Sequence, residues 1–295
     1  NKADINEIDL LEYLGDDPYT DVILMYLEDI TDGQRFIQTA SRITWEIEKP
    51  MLALKSGRSE EGARAASSHT GSLAGSDAAY DAIFYQSGIQ RLETIEELFD
   101  CAVAISTQPV PRGRRVAIIT NAGGPGIMAT DASIRHGLTL AKLTPKTTEL
   151  LQRNLPSTAN IHNPVDVIGD APPDRYEAAI RTVLMDKNVD CAVIILTPQS
   201  MTDILATAEL VPRVTAGVGK PVTCSFMGVV DVSEGVEYLE AHGIPNYPFP
   251  EAAVRALASM CRYNEILAIP HREFEEMPVD RKGAEKLIRS FLGSR

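Results

Sequence analysis

At 295 residues and 44% apolar content, the chain is long enough for two domains of ordinary size, each with its own core. A formal charge of −13 excludes a general binder of phosphate backbones, which needs a basic surface. No apolar run approaches the ~18 residues that span a bilayer, and the first residues lack the basic start and apolar middle of a secretory signal, so the cytoplasm is the expected compartment.

Short Val- and Ile-rich runs, each ended by Gly, Ser, Thr or Pro and followed by an amphipathic stretch, recur along the chain. This is the pattern of a parallel sheet with crossover helices, so the fold class is α/β. In chain order, strands are predicted over 21–27, 51–55, 115–120, 191–196 and 221–226, and helices over 95–105, 125–136, 174–185 and 251–260. The Pro-rich segment 108–114 joins two halves, which divides the chain into 1–108, 109–270 and a tail, 271–295, whose helical stretch 281–292 reads as a linker. Cys101, Cys191, Cys224 and Cys261 stand far apart in apolar surroundings without zinc-site spacing and read as reduced, buried thiols.

After the second strand, the stretch 57–77 carries one large apolar side chain, Leu73, and one imidazole, His69. Its glycines and serines leave the backbone mobile and the amides open, and it is too poor in apolar residues to pack into a core. His69 is therefore presented as a group that reacts.

The two halves repeat one order of signals. Asn1-Lys2-Ala3-Asp4-Ile5 parallels Asn163-Pro164-Val165-Asp166-Val167, and the run 21–27 parallels 190–196. Lys49-Pro50-Met51 parallels Lys220-Pro221-Val222, and Gly88-Ile89 parallels Gly243-Ile244. The second copy opens with a strand, a Gly-rich turn and a helix start, Arg115 through Asn121-Ala122-Gly123-Gly124-Pro125-Gly126, which has no counterpart before Asn1. The expectation is that the first domain is truncated at its N-terminal side and exposes an apolar sheet edge that invites self-association.

Ser67-Ser68-His69-Thr70-Gly71-Ser72-Leu73-Ala74-Gly75 resembles the phosphohistidine loop of ADP-forming (NDP-forming) acyl-CoA synthetases, in the alpha-subunit-like region of the succinyl-CoA synthetase superfamily. Asn1-Lys2-Ala3-Asp4, Thr120 to Gly126 and Asn163-Pro164-Val165-Asp166 extend the resemblance over nearly the whole chain. It implies two flavodoxin-like ligase domains, together with a CoA-binding domain and an ATP-grasp module or subunit as partners. The implied substrates are CoA, ATP or ADP with Mg²⁺, and a small carboxylic acid such as acetate. None of these is expected to be tightly bound to this part alone, which should be inactive without the other modules. The implied reaction interconverts acyl-CoA, ADP and phosphate with acid, ATP and CoA through phosphorylated His69.

A neutral imidazole is a competent nucleophile near pH 7, provided its second nitrogen is held protonated. Glu28, at the C-terminal end of the first strand where doubly wound sheets place ligands, is the expected carboxylate for that N–H; Asp29 is the weaker choice. Phosphate in transit is expected to meet Gly71 and Ser72 of the loop. Two helix N-termini should also receive it, one opened by Asn121, Gly123 and Gly124 and one by Gln199 and Ser200, although the second departs from the Gly-Gly pair of the superfamily. Arg58 and Arg64 are placed to neutralise phosphate, or are solvated loop arginines. His136 and His242 read as helix ends, His162 and His271 as turn residues, and no structural metal is implied. The second reading is a non-catalytic acyl-CoA-sensing regulatory module of a protein acetyltransferase-like protein, although such proteins lack the loop histidine. A phosphocarrier is the third reading.

Overall fold

The computed structural model describes residues 4–59, 61–62, 64, 77–228, 231–270 and 280–292. Helix α1 (Glu7–Asp16) opens on a reciprocal cap: the Asn6 side chain accepts from the amides of Ile8 and Asp9, and the Asp9 carboxylate accepts from the Asn6 amide. Strand β1 (Ile23–Leu27), α2 (Gly33–Trp45), β2 (Met51–Lys55), α3 (Asp77–Ser87), β3 (Gln90–Leu92) and α4 (Ile95–Thr107) follow. The three strands form one parallel sheet in the order β1-β2-β3. Ile8, Leu11, Phe36, Ile43 and Phe84 belong to the core cluster of α1, α2 and α3, while Leu52, Leu54 and Leu92 pack with Leu98 and Cys101 of α4.

The second sheet is built from β4 (Arg115–Thr120), β5 (Thr139–Leu140), β6 (Val165–Asp166), β7 (Cys191–Leu196) and β8 (Val222–Phe226), all parallel. Both β5 and β6 lie along one side of β4; β7 and then β8 lie on the other. Every residue of β7 is buried, which is why Cys-Ala-Val-Ile-Ile-Leu reads as an unbroken apolar run. Helices α5 (Gly123–Arg135), α6 (Pro145–Asn154), α7 (Pro173–Leu184) and α8 (Ile204–Thr215) connect these strands, and α9 (Ser233–Ala241) follows the last. One core cluster holds Tyr176, Ile180 and Val211 of α7 and α8; the other holds Ala129 and Ala132 of α5. Helix α10 (Pro250–Leu267) packs against α4 and β3 on one side and α5, β7 and β8 on the other, so it belongs to both sheets. Helix α11 (Arg281–Leu292) lies in the predicted tail.

The repeat read from the sequence is a repeat of geometry. Ile23 pairs with Met51 as Ala192 pairs with Val222, and the Pro50 and Pro221 carbonyls accept from Ile23 and Ala192 at 3.0 and 3.1 Å. Gly88 and Gly243 both sit at positive φ, 68° and 73°, after the helix that precedes the equivalent segment. Lys49 donates to the carbonyls of Leu14, Gly15 and Asp17 at the end of α1, as Lys220 donates to those of Leu184 and Asp186 at the end of α7.

Most predicted bounds move by one or two residues, and one helix end moves further. The first strand begins at Ile23 rather than 21, and the last at Val222, because Pro221 has no N–H to give the ladder. The last predicted helix runs on to Leu267, held by contacts from the first half: Trp45 Nε1 donates to Ile266 O at 3.0 Å and Tyr263 OH to Glu48 O at 2.6 Å. The four cysteines are buried thiols, and desolvation pushes Cys101 up to about 11. His136 and His242 close α5 and α9. No helix among the described residues is long and apolar enough to cross a membrane.

Candidate active site at two sheet edges

His69, Gly71 and Ser72 lie outside the described residues, but both roots of their loop are defined. The loop leaves the sheet at Lys55, the last residue of β2, and returns at Asp77, the first of α3. Lys55 is the register partner of Leu27, and the Ser56 amide continues the ladder to Leu27 O at 3.1 Å. Glu28, half-buried, is the next residue after Leu27, so the expected carboxylate stands one position from the start of the histidine loop.

Charged side chains tie the two roots together. Arg58 Nε lies 3.5 Å from Asp77 Oδ2, and Arg58 also pairs with Glu93, which follows β3. Arg91, whose side chain is only 11% exposed, holds both Asp77 and Asp81 at 2.5 Å, and its hydrogen bond keeps the Asp77 carboxyl below the usual carboxylate range. Arg64 pairs with Glu61 on the surface. Both loop arginines are thus engaged by carboxylates.

The cation that sequence reasoning missed is Lys55. It is 4% exposed, donates to Ser56 O and lies 4.6 Å over the Tyr80 ring. Burial pushes its pKa below the ordinary lysine value, against the pull of Asp77, Asp29 and Glu28. Its signal in the sequence is a lysine closing an otherwise apolar strand just before a Gly-Ser-rich loop.

The second edge lies between β4 and β7, where the chain order of the sheet reverses, the place where open α/β sheets bind ligands. Asn121 follows β4 and Thr197 follows β7. The Asn121 amide donates to Thr197 O and its Oδ1 accepts from Thr197 N, both at 2.8 Å, so this side chain stitches the crevice rather than facing it. Gly123 and Gly124 open α5 as expected, with Ala122 supplying no side-chain cap. A Cβ on Gly124 would meet nothing within 4 Å, and one on Gly123 would find only Asp166 Oδ2, at 3.8 Å. A side chain at either position would thus meet little, and the amides of a helix's first turn have no intrahelical acceptor. Close by, Ile168 is held at φ 70° in a loop fixed by Asp166 Oδ1, which accepts from the Ile168 amide at 2.9 Å, and Gly169 packs toward Gln199. A β-branched residue at positive φ is strained.

Gln199 and Ser200 do not open a helix, contrary to expectation. Helix α8 starts at Ile204, capped by Asp203, while the Gln199 amide donates to Thr202 Oγ1 at 3.1 Å in a preceding turn. A threonine and an aspartate further along compete better for the capping role than the Thr-Pro pair.

Among the described residues, no group of three or more His, Cys, Asp or Glu side chains is placed to hold a metal ion. A cleft of about 710 Å³, lined by Thr144, Leu150, Arg181 and Asp186, lies between α6 and α7, away from both edges.

Residues 1–105 match the succinyl-CoA ligase like flavodoxin domain and residues 116–267 the Ligase-CoA domain. This chain belongs to the Ligase-CoA family. The Ligase-CoA chain is 42% identical over 295 residues to acetate–CoA ligase [ADP-forming] I of Archaeoglobus fulgidus, covering all of this chain and 42% of that protein. It is 41% identical to acetate–CoA ligase [ADP-forming] I subunit alpha of Pyrococcus furiosus, covering 92% of this chain and 59% of that subunit. The solved Ca. Korarchaeum cryptofilum dinucleotide forming acetyl-coenzyme A synthetase 1, in complex with phosphate and ADP, superposes with a TM-score of 0.84 at 35% identity, covering 91% of this chain and 59% of that one. The chain therefore spans between two-fifths and three-fifths of the length of these relatives.

Proposed function

We propose that this chain is the phosphohistidine-bearing part of an ADP-forming acyl-CoA synthetase of the cytoplasm, with an acetyl-like acyl group. It works with a CoA-binding domain and an ATP-grasp module or subunit that brings ADP and Mg²⁺. The division into 1–108, 109–270 and a linker tail is part of this reading. In the direction of ATP synthesis, a phosphate oxygen attacks the acyl carbonyl of acyl-CoA and CoA leaves as the thiol. A ring nitrogen of His69 attacks the phosphorus of the acyl phosphate and the carboxylate departs. A β-phosphate oxygen of ADP then takes the phosphoryl group, giving ATP and restoring the imidazole.

The observation that carries the reading is the placement of both roots of the His69 loop at the sheet edge where Glu28 follows β1. A carboxylate there would accept the second imidazole N–H, fixing the tautomer and stabilising the charge that develops on phosphorylation. Gly71 and Ser72 travel with the histidine, while the open first turn of α5 at Gly123 and Gly124 offers backbone donors to phosphate beside the Asn121–Thr197 stitch. Gln199 and Ser200 contribute from a turn. The Ser/Gly content of the loop suits transfer by loop movement.

The test is ATP synthesis from acyl-CoA, ADP and phosphate by the complete protein. His69→Asn is expected to abolish it while leaving the folded state intact; a variant that turns over at the parent rate would contradict the reading.

A further inference from the structure

The repeat between the two halves extends to the helices packed on each sheet. Equivalent bonds of Ile23 and Ala192 to the Pro50 and Pro221 carbonyls set β1 against β7, so that Leu24 and Tyr26 stand where β7 has Val193 and Ile195. The matched Gly-Ile pairs lead into α4 and α10 and set Phe99 and Val103 against Val254 and Ala258. The helices agree with this alignment where they meet: Arg255 of α10 donates at 2.7 Å to Asp100, its own counterpart on α4.

In the second half the remaining faces of strand and helix are covered. Strand β4 pairs along β7 at Val193 and Ile195, and Ile195, Val254 and Ala258 lie in one buried cluster with Ala129 and Ala132 of α5. The first half leaves the same faces open. Alternate residues of a parallel strand bond to opposite neighbours, so the Leu24 and Tyr26 amides point away from β2; among the described residues, no strand lies on that side. Tyr26, Phe99 and Val103 are between 45% and 58% exposed, and Ile95 extends the α4 stripe by one helical turn. An unpaired apolar edge beside such a stripe is a surface that a partner covers.

We propose that the free edge of β1 and the outer face of α4 form one docking surface for a strand-turn-helix segment of the complete polypeptide, from outside the residues of this chain. The strand lies parallel to β1, and the helix covers Phe99 and Val103 as α5 covers Val254 and Ala258. The chemistry required is that of β4 and α5: an apolar strand, then a helix whose inward face is apolar. Chain for it is at hand, since this chain covers 42% of the Archaeoglobus fulgidus relative. A second copy meeting the surface about a two-fold axis would offer its β1 antiparallel, without the crossover helix that a parallel neighbour carries.

The complete protein is prepared with Tyr26 replaced by the photoreactive benzoylphenylalanine and irradiated, and the cross-linked peptides are mapped by mass spectrometry. The expected product joins position 26 to a segment of the same polypeptide outside residues 1–295, at the mass of one copy. A cross-link between two copies, or none beyond residues 1–295, overturns the proposal. Amide exchange reads the strand pairing itself. In the complete protein the Leu24 and Tyr26 amides are expected to exchange about 100-fold more slowly than those of an open loop. Phe99→Asp, which sets a charge beneath the docked helix, is expected to speed both about tenfold while leaving the amides of β7 unchanged. Loop-like exchange at Leu24 and Tyr26, or protection there that Phe99→Asp leaves untouched, contradicts the joint surface.

Discussion

Gln90 and Ser259, 169 residues apart, exchange two hydrogen bonds in the interior between the sheets: Gln90 Nε2 donates to Ser259 O at 3.0 Å and Ser259 Oγ donates to Gln90 Oε1 at 2.9 Å. Both residues are buried, and they join β3 of the first sheet to α10. Removing either partner strands polar atoms away from water. Gln90→Ala is expected to lower unfolding free energy by about 2–3 kcal/mol, measured by urea denaturation. Emission from the single tryptophan, Trp45, reports the same junction, because its indole is bonded to Ile266 O on α10. Far-ultraviolet and fluorescence transitions that stay coincident in Gln90→Ala would mean that α10 and the first sheet unfold together.

The lysine bonds at the ends of α1 and α7 make a second comparison. Each ammonium satisfies C-terminal carbonyls that have no helical partner and complements the helix dipole. Lys49→Met is expected to cost about 2–3 kcal/mol and Lys220→Met less, about 1–2, since the first lysine serves three carbonyls and the second two. Equal losses would show that the number of bonds does not set the stability.

Asp190, 8% exposed, takes hydrogen bonds from the Arg115 amide, Nε and Nη2 at 2.9, 2.9 and 2.7 Å. The Arg115 hydrogen bond holds its carboxyl below the usual range. A depressed carboxylate pKa contributes stability that is complete above the unfolded value of about 3.9 and is lost as pH falls through the folded value. Stability is thus expected to decline below about pH 4, and Asp190→Asn to lose about 1–3 kcal/mol near neutrality with a shallower acid limb. An acid limb identical to the parent's would remove Asp190 from this account.

For the first sheet edge, Glu28→Gln keeps the shape and removes the charge. It is expected to lower the steady-state level of phosphoenzyme about 10²-fold, within the range for loss of a group that assists proton placement. Asp29→Asn is expected to have a much smaller effect. The reverse order would transfer the role to Asp29.

The legible parts of the fold are those with a local cause. Strands β4 and β7 are buried on both faces and read as continuous apolar runs, and the matched Lys-Pro and Gly-Ile pairs report a repeat that the register reproduces. Strands β3, β5 and β6 are two or three residues long and carry no periodicity of their own. The last turns of α10 depend on Trp45 and Glu48, more than 200 residues earlier, which no local pattern conveys. At the candidate site, Glu28 could be proposed from the sequence because strand ends hold ligands. Lys55 could not, since a terminal lysine on a strand usually points to water and only the packing of Tyr80 over it reveals otherwise. Gln199 and Ser200 were misplaced relative to the helix because Asp203, not the Thr-Pro pair, takes the cap.

The proposed reaction turns on phosphate residing on one imidazole. The direct measurement is peptide mapping under alkaline conditions of the complete protein after incubation with labelled acyl phosphate and no nucleotide. The expected result is an acid-labile label confined to the peptide containing His69 and discharged by ADP with Mg²⁺. A label that resides elsewhere, or that survives His69→Asn unchanged, would contradict it.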